Sequence, residues 1–365
     1  MPDLELFQEA NRQLTICNSC RYCEGYCPVF RAIETRRDFA RGDVQYLANL
    51  CHDCRACFYA CMYAPPHEFA INIPKILADA RIESYRQWSW PNFLARALKS
   101  RFMEAALAFM AWAVVVLLWL TVASKTQTFT RHLGSGAFYQ VIPYVAMVIG
   151  GMALFFYGIC VWIIGGIRFW SEANNNVPEL TILKTIARAI ADALSLSYLK
   201  GGGPGCYYPK ERPSSARRIY HSLTAWGFLS ALVSTSLAAF YQDVFHWLPP
   251  FRLTSAPVVF GTVGGVAMII GSLGLIWFKL KSDNVPAGTL APGMDYMFLV
   301  MLCLTSLSGL CTLVFRATSA MGSILVMHLG LVAALFITAP YGKFVHLVYR
   351  FLALVKYRTE SIKPT

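Results

Sequence analysis

Beyond residue 102 the chain is a succession of long apolar stretches separated by short polar connections. Crossing the hydrocarbon core of a bilayer as helix takes about 20 apolar residues. Six stretches reach that length, at 103–124, 140–168, 218–241, 257–279, 295–315 and 321–340. The pattern therefore predicts a mainly α, integral membrane protein with a six-helix transmembrane bundle. Residues ahead of the first stretch lack such runs, and they carry most of the acids and eight of the twelve cysteines. They are read as a small soluble domain over 1–75 and an interfacial linker over 76–102. The bundle then occupies 103–345, and 346–365 forms a cytoplasmic tail.

Composition agrees with this division. The chain is 56% hydrophobic and 14% charged, with a mean hydropathy of +0.46, a balance outside the range of soluble domains. The net charge of +12 does not point to nucleic acid, because the cations gather in loops beside the apolar stretches. Arg96, Lys99 and Arg101 precede the first, the loop from Lys184 to Arg218 separates the second and third, and Lys279 and Lys281 follow the fourth. Lys343, Arg350, Lys356 and Arg358 follow the sixth. By the positive-inside rule both termini are cytoplasmic, which requires an even number of spans. Met1–Asn11 has neither a basic start nor an apolar core, so no secretory leader is expected. Trp88 and Trp90 suit an interfacial anchor, and LTILKTIARAIADAL reads as an amphipathic surface helix.

The soluble part holds Cys17-x2-Cys20-x2-Cys23-x3-Cys27-Pro28 and then Cys51-x2-Cys54-x2-Cys57-x3-Cys61. This is the two-cluster bacterial ferredoxin run written twice, on an α-helical or small α+β scaffold. Three closely spaced thiolates cap three corners of an Fe₄S₄ cube, and the last cysteine of each run serves the other cluster. One cluster is thus assigned to Cys17, Cys20, Cys23 and Cys61, and the second to Cys51, Cys54, Cys57 and Cys27. Structural zinc, which favours two separated C-x2-C pairs, and disulfides are the weaker alternatives. Met62 replaces the proline expected after the second run. His52 is expected at the surface, and Cys160, Cys206, Cys303 and Cys311 as small apolar filler.

Ionisable residues inside spans are costly and mark function. His221 opens the third span, while His328 and His346 stand 18 residues apart on the last, five helical turns, and so face one way. Pro340 between them can kink that helix. His221 and His346 share the cytoplasmic depth and are assigned as the axial ligands of one haem b. His328 lies deeper, without a histidine at matching depth, and is kept as a candidate ligand of a second haem. His132 and His246 look like surface residues. Lys343 is either a propionate partner or a snorkelling lysine, and His67 has a structural role or faces a partner.

The last four spans, through YHSLTAWGF and MHLGLVAALFITAPYGKFVH, resemble the cytochrome b subunit of respiratory nitrate reductase. That family holds two haems with histidine pairs on the early and last spans. His221 and His346 match one pair, but Ala231 stands ten residues beyond His221, where the second haem needs a ligand. Over its whole length, and most specifically at CFYACMYAPPHEFAINIP, the chain is similar to the tricarballylate (citrate) utilisation protein B family. That resemblance implies a cytoplasmic FAD-dependent tricarballylate dehydrogenase as electron donor, membrane quinone as acceptor and the bacterial inner membrane as location. The alternatives are the same redox module serving a flavin-dependent cobalamin-pathway oxygenase, or a membrane anchor without haem.

Overall fold

The computed structural model describes residues 3–97, 128–173, 182–200, 203, 205–290 and 292–361, with isolated positions between 108 and 119. The N-terminal part is built from helices α1 (Asp3–Cys20), α2 (Pro28–Glu34), α3 (Arg41–Leu50), α4 (Ala56–Tyr59), α5 (Ile73–Trp88) and α6 (Asn92–Ala97). Among its described residues there is no strand, so the helical form of the expected domain is the one adopted. Pro28 stands at the start of α2, where its missing N–H is not needed. Asn72 caps α5 by accepting from the Lys75 N–H at 3.2 Å. The apolar faces of α1, α3 and α5 meet in a core of Leu14, Leu47, Leu50, Leu77 and Trp88, each at most 1% exposed. Helix α5 crosses the expected boundary at residue 75, so this packing unit runs on to Trp88.

Beyond it come α7 (Ala137–Val141), α8 (Tyr144–Glu172), α9 (Ile182–Ser195), α10 (Ala216–Phe245), α11 (Ala256–Lys281), α12 (Pro292–Val314), α13 (Met321–Thr338) and α14 (His346–Glu360). Helices α8 and α10–α13 are long and apolar enough to cross a membrane. They fall where the second to sixth stretches were expected, while the stretch 103–124 lies outside the described residues apart from isolated positions. Val145, Ile149, Phe156, Ile163 and Ile167 of α8 are exposed, as suits a face that meets lipid rather than water. Helices α10 and α11 touch backbone to backbone. A Cβ on Gly264 would stand 2.7 Å from the Gly227 carbonyl oxygen and 2.8 Å from the Ser230 Cβ, the small-residue packing that membrane helices use.

Two expectations are corrected here. Trp88 is no interfacial anchor: it is buried, and its Nε1–H donates to Glu172 at 2.9 Å. Trp90 is half exposed. His328 and His346 do not share a helix either. Helix α13 ends at Thr338, the chain turns through 339–342, and a short 3₁₀ turn (Lys343–Val345) leads into α14. Pro340, which has no N–H and crowds the preceding turn, accounts for the break. The amphipathic segment is α9, whose Asp192 holds Arg358 of α14 at 2.6 and 2.8 Å.

The helical N-terminal unit is fastened to one end of the membrane helices. Asp79 of α5 accepts from the Thr289 and Leu290 backbone N–H groups at 2.6 and 2.8 Å and from the Thr289 hydroxyl at 3.1 Å. Asn72 Nδ2 donates to the Val285 carbonyl at 2.8 Å, and Arg55 Nη1 to the Asp283 carbonyl at 2.8 Å. Arg36 pairs with Glu360 of α14 at 2.5 Å. Removing the Asp79 carboxylate strands two backbone donors, at about 1–3 kcal/mol for each buried group left unpaired. Asp79→Ala should therefore lower the thermal unfolding temperature of the detergent-solubilised protein and speed protease cutting of the 283–290 segment. An unchanged melting curve and digestion pattern would contradict this fastening.

Candidate functional site

The two cysteine runs share one backbone feature. In each, the residue after the second cysteine adopts a left-handed backbone, Arg21 at φ 55° and Arg55 at φ 64°. This tight turn brings successive thiols to one side. Cys17 lies within electrostatic range of Cys61, Cys23 and Cys20, and Cys61 also of Cys20. These four line one small cavity, backed by Phe30, Ile71 and Ile73, with Cys57 at its edge. Cys27 neighbours Cys51 and Cys23, and Cys57 neighbours Cys54, Cys27, Cys51 and Cys23. The thiols of the two runs thus adjoin, with Cys61 beside the first run and Cys27 beside the second.

Backbone N–H groups point at these sulfurs. Asp53 N–H donates to Cys51 Sγ at 3.4 Å, Val29 and Phe30 N–H groups reach Cys27, and Tyr63 and Ala64 reach Cys61. Burial, reinforced by neighbouring sulfurs, pushes the Cys17, Cys23 and Cys27 thiols up to about 12. Such thiols ionise readily only when a cation takes up the charge, so metal binding must release protons. All twelve cysteines are free thiols. Among the described residues no three His, Cys, Asp or Glu side chains converge on a point that one ion could occupy.

Beneath the second run lies a cavity of about 490 Å³, within the range of cofactor pockets (~300–1,000 Å³). His221 of α10 and His346 of α14 meet on it, ring centres 6.3 Å apart and planes at 88°. Two imidazoles on one metal, each bonded at about 2 Å with the ring centre about 1 Å further, stand about 6 Å apart between centres. His346 Nδ1–H donates to the Lys343 carbonyl at 2.5 Å, which leaves Nε2 as the unprotonated, ligand-competent nitrogen. Burial, then Arg350, holds the His346 imidazole well below its usual range and hence neutral. His221 Nδ1 is buried without a protein partner among the described residues. The cavity floor is aromatic: Trp162 stacks on Phe344 at 5.6 Å, and Phe228 meets Phe344 at 5.0 Å. These features fit a flat, apolar, axially ligated group such as haem.

The remaining candidates are placed elsewhere. His328 bonds through Nδ1 to the Ser308 hydroxyl at 3.0 Å, between α12 and α13 and off this cavity. His52 is not a surface residue: half-buried, it lines the cavity with its ring 5.8 Å from Tyr198. His132 is also buried, bonded to Gln140 Oε1 at 2.6 Å, whereas His246 is exposed. His67 accepts from the Phe69 N–H at 3.1 Å and packs on Tyr63, the structural role of the two weighed. Lys343 meets a protein carboxylate, Asp295, at 2.8 Å, and Lys279 meets the same group at 2.6 Å. Cys206 is fully buried, Cys160 exposed and Cys303 and Cys311 intermediate.

Sequence reasoning missed Arg81, Arg217 and Arg350, which roof the cavity. Arg350 stands one helical turn after His346, a spacing that could have marked it. Asp295, an acid inside an apolar stretch, was a second signal.

Residues 95–365 match the citrate utilization protein B family, and residues 10–87 match the Fer4-like domain of that protein. Citrate utilization protein B of Escherichia coli is 39% identical over 354 residues, covering 97% of this chain and 92% of the relative. No solved structure matches the chain.

The thiol environments differ enough to be read chemically. After iron is chelated from the full-length protein, iodoacetamide should label exposed Cys20 at least tenfold faster than Cys27 or Cys57, both held protonated by burial. Peptide mass spectrometry at successive times reads the rates. Uniform labelling of all eight would contradict the packing described.

Proposed function

The chain belongs to the citrate utilization protein B family, and on that premise we propose that it is a membrane electron-transfer subunit with two [4Fe–4S] clusters and one haem b. Its Fer4-like domain carries the iron–sulfur part of that reading. The first cluster is assigned to Cys17, Cys20, Cys23 and Cys61, the second to Cys51, Cys54, Cys57 and Cys27, and the haem to His221 and His346. The observation that carries the haem assignment is the pair of imidazoles 6.3 Å apart on one cavity, directly under the second cysteine run. When bound, these groups supply one-electron redox centres, which a two-electron flavin needs in order to discharge singly.

The residues around them do the rest. Cys20 is exposed, and Tyr22 and Met62 beside it are 58% and 60% exposed, giving the first group an accessible apolar rim for a partner. We place there an FAD-dependent dehydrogenase, tricarballylate dehydrogenase as the resemblance implies, on the cytoplasmic side of a bacterial inner membrane. The second group is shielded by α14 and by the 206–214 hairpin, whose Tyr207 N–H donates to the Cys54 carbonyl at 2.9 Å. The aromatic cavity walls exclude water, and the Lys343 carbonyl fixes the His346 tautomer. Quinone in the bilayer is the proposed acceptor. His328 has a hydroxyl partner on the neighbouring helix and no histidine opposite it, so it is left out of the haem site.

Reduced-minus-oxidised absorption spectra of the purified protein, with haem and iron quantified, test this reading. Wild type should hold about one haem and about eight irons, and His221→Ala should lose the haem while keeping the irons. Full iron without haem in the wild type would reduce the membrane part to an anchor.

A further inference from the structure

The roof of the cavity is cationic. Arg81, Arg217, Lys279, Lys343 and Arg350 line it, against Asp53, Asp192 and Asp295, and Asp192 is taken by Arg358 at 2.6 Å. Asp295 is shared by the two lysines at 2.6 and 2.8 Å, and Arg217 reaches Asp53 at 3.9 Å. Among the described residues Arg81 and Arg350 pair with no carboxylate. Both are instead held by backbone oxygens at the end of α3 and at Cys51, the first residue of the second cysteine run. Arg81 donates from Nε to Ala48 at 2.7 Å and from Nη2 to Cys51 at 2.6 Å. Arg350 donates from Nη2 to the same Cys51 carbonyl at 2.7 Å and from Nε to Asn49 at 3.4 Å. In each guanidinium Nη1 is left without a protein acceptor among the described residues. Arg81 is 5% exposed. A buried cation without an anion is costly, and guanidinium forks match carboxylates.

We infer that Arg81 and Arg350 form a carboxylate seat for the porphyrin edge, and that the same two side chains tie that edge to the Cys51 carbonyl of the second cysteine run. The inference rests on the haem reading above and adds orientation to it. The carboxylate edge lies under the second run, and the apolar body lies over Phe344 and Trp162. Lys343, already satisfied by Asp295, is not the seat.

The test is a titration of the haem-depleted full-length protein in phospholipid nanodiscs, with haem b and with its dimethyl ester, whose carboxylates are blocked. Wild type should bind haem at least tenfold more tightly than the ester. Arg350→Gln should bring that ratio close to one, and Arg350→Lys should restore much of it. In the haem-loaded proteins, loss of the cation in Arg350→Gln should shift the haem reduction equilibrium about tenfold toward the oxidised form, about 60 mV for one electron. Equal affinities for haem and ester in the wild type, a comparison needing no variant, would overturn the seat alone. Failure of either porphyrin to give a bis-imidazole spectrum would overturn the histidine site and the seat together. Excess citrate should leave the haem titration unmoved; competition by citrate would assign the corner to a free tricarboxylate and overturn the proposal.

Discussion

The Cys51 carbonyl accepts from Arg81 at 2.6 Å and from Arg350 at 2.7 Å, and much of the molecule is arranged around that meeting. Arg81 comes from α5 of the helical N-terminal unit, and Arg350 from α14, which follows the last membrane helix. One peptide group therefore joins the cysteine-bearing loop to the end of the membrane bundle. One buried guanidinium, Arg81, and one half-buried, Arg350, also impose a constraint, because their charge must be answered in a medium where unpaired ions are expensive. The loop answers in part with carbonyl dipoles.

The same constraint orders the neighbouring polar groups. Asp295 would be costly alone inside α12, and two lysines from different elements converge on it. Arg217 reaches across from α10 to the His52 carbonyl at 3.2 Å, and its guanidinium lies 4.5 Å from the Tyr208 ring centre, with Arg55 at 4.0 Å. Polar contacts therefore gather at the level where the membrane helices meet the N-terminal unit. Deeper, the described helices combine apolar contact and close approach at Gly227 and Gly264 with single hydroxyl bonds, such as Ser230 to the Phe260 carbonyl and Ser308 to His328.

Much of this was legible in the chain. Apolar runs located the described membrane helices to within a few residues, because in a bilayer length and hydropathy alone decide a span. The cysteine spacing was legible as an iron–sulfur signature because ligand geometry is local, and the Fer4-like match agrees. The shared depth of His221 and His346 was legible, and a kink at Pro340 was expected, but not that one helix would end at Thr338 and His346 begin another. Here a backbone rule, not periodicity, sets the outcome. Trp88 and His52 were misplaced for another reason: whether a residue beside a domain faces solvent or its neighbour depends on docking, which no single segment encodes. Arg81 was invisible for the same cause. It meets the histidine cavity only because α5 packs against the bundle, 140 and 265 residues away in sequence from His221 and His346.

The central claim, that His221 and His346 embrace one iron, is tested most directly by low-temperature electron paramagnetic resonance of the oxidised full-length protein. Imidazole planes at 88° predict a strongly anisotropic low-spin ferric signal from a single haem, distinct from the clusters. A purely high-spin signal, or a low-spin signal of the moderate anisotropy given by parallel rings, would contradict the account.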